Sequence, residues 1–342
     1  MSATVVLSRD IVTSFQPSKV FRNASEGSRI TSLDFDDTGA SLLTCGEDDN
    51  LYLYDCRGGK FNRPVASKKY GCHLARFTHN PANCIYASTK ENDTIRYLSL
   101  HDNSFIRYFK AHKRKVIGLE ISPGDDTFIS SSLDGTVRLW DLNSATCHGL
   151  LTIPSPAFIA FDPAGVVFAV GCEQTAEILL YDQRNYDTEP FAVFKIDEIK
   201  GPNNSVPWSK LEFSNDGKNM LVSTLGPVHY LLDAFTGDVT MRLTGQPWES
   251  MEGERQFVSS GTATFSPDGR FIFSGATDNK VYVWDVQSPV RDGVQRPIAA
   301  FESKTPATSL AFNPRRLVLA TADKEVTLWL PQPAAIERTL TR

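Results

Sequence analysis

The sequence of 342 residues lacks the long apolar runs and cysteine patterns of membrane and secreted proteins. Ahead of Arg9 and Asp10 there is only the apolar stretch 5–7, which is too short for a signal peptide or a membrane span. The six cysteines form no CxxC pair, and we expect them to be reduced thiols. These absences predict a soluble, intracellular protein with no membrane partner.

An excess of positive charge is also absent. Lys and Arg together number 35 against 40 Asp and Glu, so the formal net charge is -5. Proteins that bind nucleic acid usually carry a basic stripe or a high positive charge. We therefore expect no direct contact with nucleic acid, and any phosphate-binding site must be a local basic patch.

Catalytic and cofactor-binding motifs are missing as well. The sequence contains no GxxxxGKS/T, GxGxxG or GxSxG, which excludes the common nucleotide-binding and hydrolase signatures. Among six histidines there is no HExxH, and none is spaced with two cysteines as a zinc site requires. The sequence predicts that the protein is not an enzyme and that it carries no metal ion and no cofactor.

What the sequence does contain is a repeat. Seven segments share an apolar anchor, a Gly/Pro/Asp-rich turn, a strand of small residues, a polar turn and a strand that closes near Trp-Asp. The closing aromatic residues or their substitutes, 41 to 52 residues apart, are Tyr54, Leu98, Trp140, Tyr181, Leu232, Trp284 and Trp329. The anchors keep the same spacing, at Phe35, Phe77, Ile121, Phe161, Phe213, Phe265 and Phe312. Four short strands per repeat predict an all-β, seven-bladed β-propeller that resembles the WD40 class.

We expect one propeller domain over residues 1–342, because a blade buries its two faces only against its neighbours. In the third repeat the predicted strands are 116–121, 127–131, 136–140 and 147–153. The seventh repeat reaches Trp329 and then Pro331, so it lacks a fourth strand. A strand at about residues 18–24 is predicted to complete blade 7 and close the ring, with 331–342 as a C-terminal tail.

Ser, His and Asp residues occur together in the third repeat. We predict that a hydrogen-bonded tetrad, which ties loop to strands in WD40 blades, is formed by His112, Ser130, Asp134 and Trp140. A Ser/His/Asp set also suggests nucleophilic catalysis. We favour the structural interpretation, because all four residues occupy scaffold positions of the repeat. Repeats two, five and seven depart from Trp-Asp, so only some blades are expected to have a full tetrad.

Several runs that propeller geometry does not require resemble those of one family. They are VFR at 20–22, LYDC at 53–56, SKKYG at 67–71, DTIRYLSLHDN at 93–103, DDTFIS at 125–130, PFAVFK at 190–195, FSNDGK at 213–218 and DAF at 233–235. The family is the WD-repeat subunit shared by the COMPASS histone-lysine methyltransferase complex and, in fungi, the cleavage and polyadenylation factor. The sequence departs from that family mainly at 195–207, at 245–260 and in its extended start, so contacts that a relative makes there do not transfer.

The resemblance implies a non-catalytic scaffold in the nucleus. One implied partner is the N-terminal region of the histone methyltransferase catalytic subunit. Others are the scaffold and phosphatase subunits of the cleavage and polyadenylation factor, and the phosphorylated C-terminal tail of RNA polymerase II. The repeat itself predicts a rigid disc with several loop-lined surfaces, which suits binding of more than one partner at a time.

Two loops that enter adjacent blades are rich in cations. Five cations and one tyrosine precede the inner strands of blades 2 and 3, namely Lys68, Lys69, Tyr70, Lys113, Arg114 and Lys115. Equivalent loops of adjacent blades are neighbours, so these residues, called the basic patch below, are candidates to bind phosphate through charge-assisted hydrogen bonds. The alternative is a solvated loop face without a ligand, and the sequence favours neither.

Two longer loops are predicted on the same face, at residues 196–207 and 245–260. The second contains Trp248 close to Glu249, Glu252 and Glu254. An exposed Trp is a candidate anchor for a docked peptide. The alternative is a Trp that folds back on the rim of its blade.

A second functional class is a substrate receptor of a cullin-type ubiquitin ligase, whose WD40 members often carry Trp-Asp-x-Arg. The chain has YDCR at 54–57 and YDQR at 181–184, in which Tyr replaces Trp. The Arg residues also have a structural role as hydrogen-bond donors at the bottom of a blade. The subunits that co-purify with the protein would distinguish the two classes.

Overall fold

A computed structural model of the chain describes residues 6–22, 24–25, 27–154, 156–199, 206–247, 262–290 and 292–340. Within these ranges nearly all regular structure is β-strand, and two short α-helices lie near the ends of the chain. None of the helices in the described ranges is both long and apolar enough to cross a membrane.

The strands form seven sheets, and strands that follow one another along the chain are mostly neighbours in a sheet. Helix α1 (Arg9–Val12) and strand β1 (Phe15–Phe21) come first. Blades 1 to 3 contain β2 (Ile30–Phe35), β3 (Ser41–Gly46), β4 (Asn50–Asp55), β5 (Lys60–Ala66), β6 (His73–Phe77), β7 (Asn83–Ala87), β8 (Ile95–Ser99), β9 (Ser104–Phe109), β10 (Val116–Ile121), β11 (Thr127–Ser132), β12 (Thr136–Asp141) and β13 (Cys147–Thr152).

Blades 4 and 5 contain β14 (Ala157–Phe161), β15 (Val167–Cys172), β16 (Glu177–Asp182), β17 (Ala192–Lys195), β18 (Trp208–Phe213), β19 (Asn219–Thr224), β20 (Val228–Asp233) and β21 (Val239–Thr244). A 3-10 helix, Asp197–Ile199, lies between these blades. The remaining elements are β22 (Ala263–Phe265), β23 (Phe271–Gly275), β24 (Lys280–Asp285), β25 (Val294–Gln295), β26 (Ala299–Glu302), β27 (Ser309–Phe312), β28 (Leu319–Ala322), β29 (Val326–Pro331) and helix α2 (Pro333–Leu340).

Blade 7 is completed by β1, from the opposite end of the chain. β1 pairs antiparallel with β29, and the sheet order β1-β29-β28-β27 closes the ring. The predicted all-β, seven-bladed propeller closed by an N-terminal strand is therefore confirmed. β1 begins at Phe15, whereas the strand was predicted at about 18–24. Pro17 fits in β1 because β1 is the outer strand of its sheet, and the pairing register shifts between Pro17 and Lys19.

Apolar side chains fill the spaces between adjacent sheets. The seven closing residues of the repeat are all buried, from fully buried Trp284 and Trp329 to 6% exposed Tyr181. All five residues of the inner strand β6 are buried, because both faces of this strand are covered by neighbouring blades. Each blade thus depends on its two neighbours for burial, as the repeat predicted.

Two features are additional to the four strands of each blade. β25 pairs in parallel with β21, so the outer edge of blade 5 is covered by the protein's own chain. The segment 331–342, which was predicted only as a tail, contains α2, and α2 contacts α1. Ile11 and Val12 of α1 are fully buried in the core cluster between blades 6 and 7.

Candidate interaction surfaces and the central channel

The two faces of the propeller carry different loops. Loops from the outer strand of one blade to the inner strand of the next lie on one face, together with the turns between second and third strands. We call this the upper face, and the lower face carries the turns between first and second and between third and fourth strands. Gly135, in an upper turn between β11 and β12, has φ of 76°, a conformation that favours glycine.

The structure places the whole basic patch on the upper face. Its five cations are exposed, and Tyr70 is half-buried. Acidic groups and carbonyls lie among them: Lys90 pairs with the Asp49 carboxylate, and the backbone N–H of Lys113 donates to Asp134 Oδ2 (2.9 Å). The Arg114 side chain donates to the Leu133 carbonyl (3.0 Å). The patch is therefore a mixed surface in which cations protrude, less positive than the sequence alone suggested.

A buried arginine supports the edge of the basic patch. Arg96 is 4% exposed, and its Cζ lies 3.6 Å from the centroid of the Tyr70 ring. The rings of Phe105 and Tyr108 lie 5.4 and 5.2 Å from the same atom, and Nε donates to Ser88 Oγ (2.7 Å). Stacking of this kind fixes ring orientation through cation–π attraction. Sequence reasoning missed Arg96, although its cross-strand pairing with Tyr108 was a possible signal.

The two long loops are described only in part. Trp248 lies outside the described residues, so its proposed role as a docking anchor stays a prediction. At the start of the first loop, Ile196 and Ile199 are buried, and they belong to the same core cluster as Trp208. This loop therefore begins by packing on blades 4 and 5, and its residues 200–205 lie outside the described ranges.

The four tetrad residues are linked by hydrogen bonds. The Trp140 indole N–H donates to Ser130 Oγ (2.9 Å), which lies 2.8 Å from His112 Nε2, while His112 Nδ1 lies 3.0 Å from Asp134 Oδ2. A neutral His112 protonated on Nδ1 satisfies every link in this chain. Ser130 is fully buried and the His112 side chain is 1% exposed. Ser130 cannot reach a substrate there, so the arrangement is structural.

Burial and hydrogen bonding set the charges of the tetrad. Burial lowers the pKa of His112, although the neighbouring Asp134 opposes this shift. Burial acts to raise the pKa of Asp134, but hydrogen bonds from Thr136, the Lys113 N–H and His112 lower it to about 2. The native tetrad therefore holds a neutral imidazole beside an ionised carboxylate.

In blades 6 and 7 the indole N–H of the closing tryptophan donates to other acceptors than a tetrad serine. The Trp329 indole N–H donates to Thr321 Oγ1 (2.9 Å), and that of Trp284 donates to the Thr244 carbonyl (3.1 Å). Ser274, which occupies the serine position of blade 6, is contacted by His229 from blade 5 (2.8 Å). The indole donors therefore remain satisfied without a full tetrad.

Charged side chains also converge on the axis of the ring. The residue before the anchor is charged in four of the seven repeats, at Asp34, Arg76, Glu120 and Glu212. All four line one central cavity. Sequence analysis missed this convergence, because the charged residues belong to inner strands that are far apart along the chain. No group of three or more potential metal ligands was found among the residues that the structure describes.

The tetrad predicts a pH dependence of stability. The pKa of His112 is lowered on folding, so its contribution is present above the unfolded value of about 6.5 and is lost as the pH falls below it. Replacing His112 by Gln should cost about 1–3 kcal/mol at pH 7, because a buried link is broken. The same change should make the loss of stability between pH 7 and pH 5 less steep. Urea unfolding at several pH values measures both effects.

The matched control is His148→Gln, which changes an exposed histidine on β13 outside the tetrad. We expect this variant to keep the wild-type pH dependence. Equal slopes for wild type and His112→Gln would show that the His112 pKa is not lowered in the folded protein.

Known proteins with similar sequences agree with the fold. The family WD domain, G-beta repeat matches residues 15–55, 103–141 and 245–285. The chain is 42% identical to WD repeat-containing protein 82 of Drosophila melanogaster, over 94% of this chain and 96% of that protein. It is 39% identical to COMPASS component SWD2 of Saccharomyces cerevisiae, over 93% and 94% of the two chains.

A third relative is Set1 complex component swd2 of Schizosaccharomyces pombe, which is 40% identical over 79% of this chain and 75% of that protein. These relatives are named for repeats and complexes, and not for an enzymatic activity. Identity at this level over most of both chains confirms the family resemblance seen in the sequence. The chain therefore belongs to the family of WD-repeat proteins that includes WD repeat-containing protein 82 and COMPASS component SWD2.

Proposed function

We propose that the protein is a non-catalytic scaffold subunit of a COMPASS-type histone H3 lysine methyltransferase complex in the nucleus. The observation that carries this proposal is the 39% identity to COMPASS component SWD2 over 93% of the chain. A match of this length extends beyond the repeat positions into the surface loops. The closed ring supports the same function, because its loops and outer strands are exposed for binding. The Ser130 hydroxyl of the tetrad is buried and cannot act as a nucleophile.

Apolar side chains on the rim offer a surface for protein partners. Ile106 on β9, Leu150 on β13 and Val193 on β17 are 45%, 53% and 44% exposed. They lie on the outer strands of three consecutive blades. Preformed surfaces lower the ordering cost of binding a flexible segment. This rim is a suitable place for the N-terminal region of the methyltransferase catalytic subunit.

We propose that the protein also belongs to a second assembly, the cleavage and polyadenylation factor. The scaffold and phosphatase subunits of the cleavage and polyadenylation factor are proposed partners, and the ring has separate faces on which partners can be held. The basic patch is proposed to contact the phosphorylated C-terminal tail of RNA polymerase II. Its exposed cations and the Tyr70 ring, which Arg96 holds in place, support this assignment.

Affinity capture tests the scaffold function. We expect the tagged protein, expressed in its native cells, to recover a histone H3 lysine methyltransferase from nuclear extract, identified by mass spectrometry. The captured complex should methylate histone H3, whereas the purified subunit alone should not. Recovery of a cullin-ligase adaptor without a methyltransferase would contradict the proposal and favour the substrate-receptor class.

A charge-reversal pair tests the basic patch. We expect Lys68→Glu/Arg114→Glu to weaken binding of a phosphoserine peptide from the polymerase tail by at least about tenfold, because charge-assisted hydrogen bonds are lost. The salt dependence of binding should also become shallower. Fluorescence anisotropy with phosphorylated and unphosphorylated peptides measures both effects.

The control for this experiment is Arg184→Glu/Lys218→Glu, which makes the same charge change at exposed residues on the lower face. It should leave peptide affinity unchanged. If both double variants bind the phosphopeptide like wild type, the patch is a solvated surface and the contact with the polymerase tail is elsewhere or absent.

A further inference from the structure

Two phenylalanine side chains are exposed on the lower face of blades 4 and 5. Phe191, which directly precedes β17, is 60% exposed, and Phe235, in the turn between β20 and β21, is 77% exposed. Single exposed apolar residues are common on protein surfaces, whereas exposed apolar groups that lie together mark binding sites. Both residues fall within runs that propeller geometry does not require, PFAVFK at 190–195 and DAF at 233–235.

The turn that holds Phe235 does not itself need a phenylalanine. In five blades the aspartate after the closing residue accepts a hydrogen bond from the backbone N–H two residues later, at 2.7 to 3.1 Å. The side chain at that later position is exposed in all five turns, and it is polar in every one except that of blade 5. The five residues are Arg57, Asn143, Arg184, Phe235 and Gln287. Because polar side chains serve the same turn elsewhere in the ring, the fold does not explain the exposed phenylalanine.

Both phenylalanines project from ordered backbone. Asp233 Oδ1 accepts hydrogen bonds from the N–H groups of Phe235 (2.8 Å) and Thr236 (2.9 Å). The Phe191 N–H donates to the Leu180 carbonyl of β16 (3.0 Å). A ligand that packs on these rings therefore finds them already positioned, and little ordering of the propeller opposes binding.

A contact between the two blades brings the phenylalanines to one place. Gly237 is buried, and a Cβ atom added to it would clash with the ring of Phe194, so the turn of blade 5 packs directly on the outer strand of blade 4. Phe191 precedes Phe194 by three residues and Phe235 precedes Gly237 by two, which are spans of at most about 11 Å and about 7 Å. The exposed rings therefore flank a single contact between blades, and we call them the phenylalanine pair.

Exposed carboxylates lie beside the phenylalanine pair. Asp187 and Glu189 belong to the loop before β17, and Asp238 is the last residue before β21. The side chains of all three are exposed. Arg184 is an exposed cation in the same loop as the first two, so carboxylates are in excess.

Other cations of these blades lie close to acidic partners. Lys195 Nζ is 3.7 Å from Glu177 Oε1, and Lys218 Nζ is 3.7 Å from Asp216 Oδ2. The surface around the phenylalanine pair is therefore negative and complements a positively charged ligand. A second copy of this chain would instead bring like charges together, which disfavours self-association through this surface.

We propose that the phenylalanine pair docks a segment of a partner polypeptide in which apolar side chains lie next to Lys or Arg. The apolar side chains pack on the two exposed rings, and the cations pair with Asp187, Glu189 and Asp238. The site lies on the face opposite the basic patch, and its ligand has the opposite charge. The inference goes beyond the scaffold function, because membership of a methyltransferase complex does not require this site or this ligand chemistry.

Selection from random dodecapeptides displayed on phage tests the site. The full chain is the bait, and counter-selection on Phe191→Ser/Phe235→Ser removes peptides that bind elsewhere. We expect the surviving sequences to carry Leu, Ile, Phe or Trp next to Lys or Arg. In fluorescence anisotropy, the synthesised peptides should bind the double variant at least about tenfold more weakly than wild type, because two apolar anchors are lost.

The matched control is Ile106→Ser/Leu150→Ser, which removes two exposed apolar side chains from the rim of blades 2 and 3. It should bind the peptides like wild type. Both double variants should melt like wild type, because they change exposed side chains. Neutralising the three carboxylates with Asp187→Asn/Glu189→Gln/Asp238→Asn should weaken binding and make its salt dependence shallower.

The proposal is overturned if no peptide survives the counter-selection, if the survivors are acidic or purely polar, or if the triple variant binds them with wild-type affinity and salt dependence. A wild-type chain that dimerises in sedimentation equilibrium, and that Phe191→Ser/Phe235→Ser makes monomeric, would overturn the partner segment and assign the pair to a second copy. These measurements use the purified chain alone. Their failure is therefore distinguishable from failure of the scaffold function, which affinity capture tests.

Discussion

The antiparallel pairing of β1 with β29 holds the ring of blades closed. It joins the first strand of the chain to the last, and it supplies the outer strand that the seventh repeat lacks. Phe21 packs on Tyr54 of blade 1, with ring centroids 4.8 Å apart, and Phe15 packs on Phe312 of blade 7 at 5.9 Å. Without this pairing, blade 7 would keep three strands, and the ring would be closed only by the packing of blade 7 on blade 1.

Closure explains why the surfaces of the ring can act as preformed binding sites. Loops on both faces start and end on strands whose positions are set by two neighbouring blades. On the lower face, His79 lies 2.7 Å from Asp37 of blade 1 and 3.0 Å from the Ser122 carbonyl of blade 3, and the hydrogen bond to Asp37 raises the His79 pKa. Hydrogen bonds of this kind between blades fix the positions of the loops. A scaffold that binds flexible segments gains affinity from this rigidity, because little ordering is required of it.

The fold and the tetrad could be predicted from sequence because both are local. Each repeat places its turn, its small-residue strand and its closing residue within about 45 residues, so Ser130 and Trp140 are recognisable by spacing alone. The parts that could not be predicted depend on contacts between distant blades. Asp34, Arg76 and Glu120 are each unremarkable in their own repeats, and only ring closure brings them to one cavity. β25 was missed because a two-residue strand has no periodicity to detect.

We infer that the N-terminal strand makes the seven blades one cooperative unit. Thermal unfolding of a chain that lacks residues 1–22 tests it most directly, with a chain that lacks 333–342 as the control. We expect the N-terminal deletion to abolish the single cooperative transition, while the control retains it. An N-terminally deleted protein that melts like the full chain would contradict closure of the ring by β1.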